Sequence, residues 1–121
     1  MNEDRVAIVA DGRSYSYGDL DRASRAVAGA LLDGRDDLGQ ARVAFLITPG
    51  FDYVAVQRGT WRAGGVAVPL AASHPPPELE YVVRDSGAAV VVGEPATAPV
   101  LAPMAAAAGA RFLTTAQVSG T

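Results

Sequence analysis

The residue with the widest chemical reach in this sequence is His74, the only histidine, set in the loop Ser73-His74-Pro75. An imidazole changes charge near neutral pH, so in a loop it could face a substrate carboxylate as a tunable cation. A histidine there can also simply be solvated, and His74 is the single candidate for substrate binding. The other reactive groups are few. With no cysteine, neither disulfides nor thiol chemistry is possible. Lysine is absent as well, all ten basic residues being arginine. That removes a phosphate-loop lysine, a Schiff base and a lysine clamp on a transferring group. One histidine without cysteine is a poor zinc set. No G-x-S-x-G elbow is present to present a nucleophilic serine. Asp33, Asp36 and Asp37 lack the alternate spacing and closing glutamate of a calcium loop, and read as a solvated turn. No catalytic, cofactor-binding or metal-binding residue is assigned.

Two glycine stretches sit where phosphate loops are found in other proteins. Thr48-Pro49-Gly50-Phe51-Asp52 follows an apolar run and opens a helical one, which is the setting for an anion at a helix N-terminus. It has one glycine only, and Asp52 puts negative charge in the first turn. Gly64-Gly65 leads from a helix into a strand, the end of a sheet away from which ligands gather.

The bulk properties are those of an ordinary globular domain. Half of the 121 residues are hydrophobic, 19% are charged and the net charge is −3. The acidic balance argues against a nucleic-acid partner. No apolar run approaches the ~20 residues of a membrane span, and MNEDRVAIV has neither the charge order nor the apolar core of a signal peptide. A cytoplasmic location is the expectation.

The elements that must position these residues follow from the pattern of the chain. The expected architecture is a single α/β domain over 1–121: a β-hairpin at 5–17, a helix at 18–34 and βα units over 42–118. Asp11-Gly12 signals a two-residue turn, pairing Ile8 with Tyr15 and Val6 with Tyr17. Ser16 and Asp19 form a capping box for the helix. Leu20, Ala23, Val27, Ala30 and Leu31 make its apolar stripe, and Asp21 and Arg25 an i,i+4 pair on the wet side.

Apolar runs then begin near Val43, Val66, Ala89 and Phe112, 23 residues apart each time. Near-continuous Val, Leu and Ala runs alternating with helices predict a mainly parallel sheet with helices on its faces. Phe51, Val54, Ala55, Arg58, Trp61 and Arg62 track one side of the second helix, with Trp61 as a packing anchor. Leu79, Val82 and Val83 supply the buried stripe of the third. Pro69 marks a strand end or a position where no N–H is needed. Pro103 predicts a short helix that starts there and ends at Gly109.

Three stretches together resemble one family. SYSYGDLDRASRAVAGALL is similar to the leading Tyr-x-x-Leu segment of adenylate-forming enzymes, the acyl-CoA synthetase superfamily. TWRAGGVAVPL resembles its next core motif, and PPPELEYVVRDSGAAVVV the Glu-Leu-x-Tyr helix, Asp-Ser-Gly and strand that follow. The likeness covers roughly residues 5–118. The loop Ser73-His74-Pro75 before Glu78-Leu79-Glu80-Tyr81 resembles the malonyl- and methylmalonyl-CoA synthetase branch.

The resemblance implies a partial large-domain layer of the adenylate-forming fold and a ligase reaction, carboxylate to acyl-adenylate to acyl-CoA. ATP, Mg and CoA are implied for the full-length family and none of them for this chain. The family's Pro-Lys-Gly phosphate loop, adenine-binding segment, ribose-binding Asp and catalytic Lys have no counterpart here, and Val118-Ser119-Gly120-Thr121 is a three-residue likeness only. Gly64, Gly65, Pro69, Leu70, Glu78, Leu79, Tyr81 and Asp85 carry over as motif positions without a chemical role. An N-terminal fragment of such a ligase, not competent alone, is the first expectation. A stand-alone interaction module and an unrelated Rossmann- or flavodoxin-like nucleotide binder are the alternatives. With cover missing from part of the sheet, association with the remainder of a synthetase or a two-fold homodimer is expected, through an uncovered face or a sheet edge.

Overall fold

The chain opens with an antiparallel hairpin, β1 (Val6–Ala10) and β2 (Arg13–Ser16). The computed structural model describes residues 4–10 and 12–119, so Asp11 of the expected turn lies outside the described residues. Gly12 takes φ +73°, the left-handed region that such a turn requires. Ile8 pairs with Tyr15 as expected, whereas Val6 pairs with Ser16 and not with Tyr17. A bulge between Val6 and Ile8 shifts the register. It releases Tyr17 to begin α1 (Tyr17–Leu32), its backbone N–H still held by the Arg5 carbonyl at 2.9 Å.

The start of α1 is the capping box that the sequence signals. Ser16 Oγ accepts from the Asp19 N–H (3.1 Å), and Asp19 Oδ2 accepts from the Ser16 N–H (2.9 Å). The buried stripe runs through Leu20, Ser24, Val27, Ala28 and Leu31, and Arg25 pairs with Asp21 at 3.0 Å on the wet side. The buried Ser24 hydroxyl donates to the Asp21 carbonyl one turn back.

From there strands and helices alternate: β3 (Arg42–Leu46), α2 (Phe51–Arg62), β4 (Val66–Pro69), α3 (Pro76–Asp85), β5 (Val90–Gly93), α4 (Ala98–Ala107), β6 (Arg111–Thr114) and α5 (Thr115–Val118). The four later strands form one parallel sheet in the order β4-β3-β5-β6. Pro69 closes β4, an edge strand, where a missing N–H costs little; the next N–H, that of Leu70, donates to the Phe45 carbonyl at 2.8 Å.

Strand residues alternate between two cores. Val43, Phe45, Val90 and Val92 pack with Val27, Leu31, Val56 and Val118 on one face. Ala44 and Val91 pack with Leu79, Val83, Leu101 and Met104 on the other. Both faces are therefore covered within the chain, so of the two expected openings, a face or a sheet edge, the edge is what is left: among the described residues β4 and β6 lack a further strand.

Two helices depart from expectation. The buried side of α2 is Ala55, Val56, Gly59 and Thr60, and Trp61 is 57% exposed rather than a packing anchor. The small residues win because α1 crosses close by: a methyl on Gly59 would stand 2.5 Å from Val27 Cβ. The last crossover starts at a 3₁₀ turn, Pro95–Thr97, and α4 runs on through Pro103. Pro103 cannot donate to the Pro99 carbonyl. Both prolines lie on the exposed side, where water can take that carbonyl, while Leu101, Met104 and Ala105 bury the other side.

Candidate functional site

In an open parallel sheet, ligands gather beyond the carboxyl ends of the strands, where the strand order reverses. Here that point lies between β3 and β5, since the chain steps from β3 out to β4 and returns to β5 on the other side. The segments leaving these two strands, Ile47–Gly50 and Glu94, line a cavity of about 230 Å³ with Asp52 and Tyr15. The hairpin forms its roof: Tyr15 stacks on Phe51 with ring centroids 4.1 Å apart, and the Arg13 guanidinium lies 5.0 Å from the Tyr15 ring centre.

The crevice is polar and negative. One Glu94 carboxylate oxygen accepts from both the Thr48 N–H (3.2 Å) and the Thr48 hydroxyl (2.8 Å). Glu94 is fixed in turn by the 3₁₀ turn, where its N–H donates to Thr97 Oγ1 at 3.1 Å. Asp52, in the first turn of α2, has its carboxyl raised above the ordinary carboxylate range, first by burial and then by the charge of Glu94. The Thr48 donors in the turn just before this helix are engaged by a carboxylate, and a second carboxylate, Asp52, stands in the first turn. The residues present do not fit a polyphosphate, which would need free donors and cations here. Among the described residues, no three of His, Asp or Glu gather around a possible metal position.

The stretch Thr48-Pro49-Gly50-Phe51-Asp52, weighed from the sequence as a setting for an anion, lines this crevice, whereas His74 and the family motif positions do not. His74 lies in the loop after β4, about half exposed, its Nε2 3.9 Å from a Glu78 carboxylate oxygen. Gly64 and Gly65 join α2 to β4; Leu70 and Leu79 are core residues. Glu78, Tyr81 and Asp85 are exposed on α3, and Pro69 is exposed at the end of β4. Asp37 is exposed, as a solvated turn implies, and its carboxylate has a further part: it accepts from the Gly39 N–H at 2.5 Å and fills the space where a Gly64 side chain would stand.

Sequence reasoning missed the Thr48–Glu94 contact, since 46 residues separate the partners. It also missed Arg111, whose guanidinium donates to the Leu31 (3.2 Å) and Ala30 (3.3 Å) carbonyls and so caps α1, a helix with no basic residue in its own last turn.

Residues 1–118 match the sequence profile of the AMP-binding enzyme family. The chain belongs to that family. It is 37% identical over 123 residues to a malonate–CoA ligase of Arabidopsis thaliana, covering 90% of this chain and 20% of that protein. To the mitochondrial malonate–CoA ligase of Xenopus laevis it is 37% identical over 115 residues, covering 92% of this chain and 20% of the other. Among solved structures, apo MatB of Rhodopseudomonas palustris superposes with a TM-score of 0.83 at 31% identity, covering 93% of this chain and 23% of MatB. The likeness thus falls in the malonyl-CoA synthetase branch of the adenylate-forming enzymes, and the chain spans about a fifth of the length of these relatives. Membership replaces the unrelated nucleotide binder as an account of the parallel sheet. Among the described residues no helix is long and apolar enough to cross a membrane.

Proposed function

We propose that this chain is the scaffold-bearing part of an ATP-dependent acyl-CoA ligase and does not form an acyl-adenylate by itself. In the complete reaction a carboxylate is activated as its adenylate and passed to CoA. The names of the relatives favour a small dicarboxylate of the malonate class as the acid. ATP, Mg and CoA would be held by residues outside this chain.

The observation that carries the reading is the state of the crevice between β3 and β5. Where phosphates would land, the amide and hydroxyl of Thr48 both serve Glu94, and Asp52 adds a second acid. Adenylyl transfer depends on cations and oriented donors that meet developing negative charge, and this crevice offers the opposite sign. The test is malonate-dependent exchange of labelled pyrophosphate into ATP. The purified chain is expected to give no exchange above a blank, and exchange that rises with malonate in a preparation free of host ligases would overturn the reading.

A second reading, a non-catalytic interaction module of the same family, is favoured by the exposed Trp61. The downstream reading frame distinguishes the two: a Gly-rich, Lys-containing loop in frame supports the ligase. The absence of cysteine suits a reducing compartment, and we place the chain in the cytoplasm.

A further inference from the structure

Between α1 and α2 the surface opens into a cleft of about 470 Å³. Two features distinguish it from the rest of the exterior. The first is aromatic: Trp61 is 57% exposed and Tyr17 37%, and both line the cleft. The second is charge. Arg58 and Arg62 stand in the cleft and Arg25 beside it, while among the described residues Asp21 alone answers them, bonded at once to Arg62 (2.7 Å) and Arg25 (3.0 Å). Among the described residues Arg58 has no carboxylate partner. A chain of net charge −3 thus carries a locally cationic, aromatic groove.

Tryptophan and arginine are the side chains that dominate binding hot spots, because each joins a large contact area to a directed polar group. The groove is also preformed. Its walls are fixed by the close crossing of α1 and α2 at Gly59 and Val27, so little order has to be gained on binding. We propose that the α1–α2 cleft docks an acidic segment of another protein, which sets carboxylates against Arg58 and Arg62 and lays an apolar side chain on Trp61. A second copy of this chain is the poorer occupant, since a two-fold contact through the cleft would bring arginines against arginines.

Trp61 is the only tryptophan, so its emission reports the cleft directly. The probe is a short synthetic peptide of glutamates interspersed with leucines, set beside its lysine-for-glutamate counterpart. The acidic peptide is expected to shift the emission saturably to the blue. Raising salt from about 0.05 to about 0.5 M, which shortens the reach of the charges, is expected to weaken it about tenfold. Arg58→Glu is expected to weaken it about tenfold more, with an unchanged denaturation midpoint because Arg58 is exposed; Arg58→Gln, expected to weaken it less, serves if the glutamate variant fails to fold. The proposal is overturned by any of four results: equal response to the lysine peptide, response to phosphatidylserine vesicles but not to the acidic peptide, a blue shift with protein concentration alone, or no response at all. Unaltered affinity in a folded Arg58 variant overturns it too.

Discussion

Replacing Gly59 by alanine should destabilise the fold, and the same replacement at Gly29 should stabilise it. Both glycines lie in helices, where alanine is favoured by about 1 kcal/mol. Their surroundings decide the sign. At Gly29 a new methyl meets nothing within 4 Å, so a gain of about 0.5–1 kcal/mol remains. At Gly59 it would stand 2.5 Å from Val27 Cβ and Cγ1 and 2.9 Å from the Ser24 carbonyl oxygen. Carbon contacts settle near 3.5–4.0 Å, so α1 must retreat by about 1 Å. Neither obstacle is the free end of a flexible chain: one is backbone and the other a β-branched side chain. Overpacking of this kind costs about 1–3 kcal/mol. After the helix gain of about 1 kcal/mol, a net loss of about 0–2 kcal/mol, centred on about 1, is left at Gly59. The two alanine variants should then differ by about 2 kcal/mol, or about 1 M in urea midpoint for a typical slope of ~2 kcal/mol/M. Urea unfolding followed by far-UV circular dichroism measures it. A Gly59→Ala midpoint at or above the wild type would refute the close crossing as the fixed point of the helix pair.

Gly12→Val should lower stability by about 1–2 kcal/mol, because a β-branched residue is strained at φ +73°; coincident denaturation midpoints would remove the turn from the account. Asp52 holds its proton more tightly in the folded than in the unfolded chain. It therefore costs nothing below the unfolded carboxylate pKa, and an increasing amount as pH rises through its raised folded value. Asp52→Asn should flatten that part of the stability–pH curve and raise the midpoint at pH 7 relative to wild type; curves of the same shape would show that Glu94 and burial exert no net effect there. We expect self-association through a sheet edge, β6 more than the proline-ended β4, and a single monomeric species in sedimentation across a micromolar concentration series would rule it out.

What could be read from the sequence was local or periodic. The 23-residue spacing of apolar runs marks the four parallel strands, because buried parallel strands must be apolar throughout and each needs a crossover of similar length. Ser16 and Asp19 announce their capping box from three residues apart. Other features depend on which side of an element meets the core. Both sides of α2 carry apolar residues, and large Trp61 and Val54 outweigh small Gly59 and Thr60 in any reading by size. Helix proximity reverses that order. The hydrogen bond that Pro103 cannot make costs less where water can take the freed carbonyl, as on the exposed side of α4. The crevice contact between Thr48 and Glu94 and the cap from Arg111 to α1 span 46 and about 80 residues, beyond the reach of any local signal.

The family likeness itself has a physical meaning at Gly64-Gly65. The Leu38 N–H donates to the Ala63 carbonyl (2.9 Å), the Gln40 N–H to the Gly64 carbonyl (2.8 Å) and the Gly65 N–H to the Thr60 carbonyl (2.9 Å). The Val66 N–H then reaches the Ala41 carbonyl at 2.9 Å, and the pairing of Arg42 with Val66 begins. Gly64 takes φ +83°, and a side chain there would strike the Asp37 carboxylate that holds the turn at Gly39. The end of α2 and the loop into β3 are thus laced together just before both strands start. Their register is set at that lacing, and a slip of one residue would turn Val43 and Phe45 out of one core and Ala44 into it. Leu70 and Leu79 continue the same logic on the other face. The motif that ties this chain to its relatives is therefore a device for aligning β3 with β4. Its likeness is evidence about scaffold, and the chemistry of a ligase built on it has to come from residues that such a scaffold carries elsewhere.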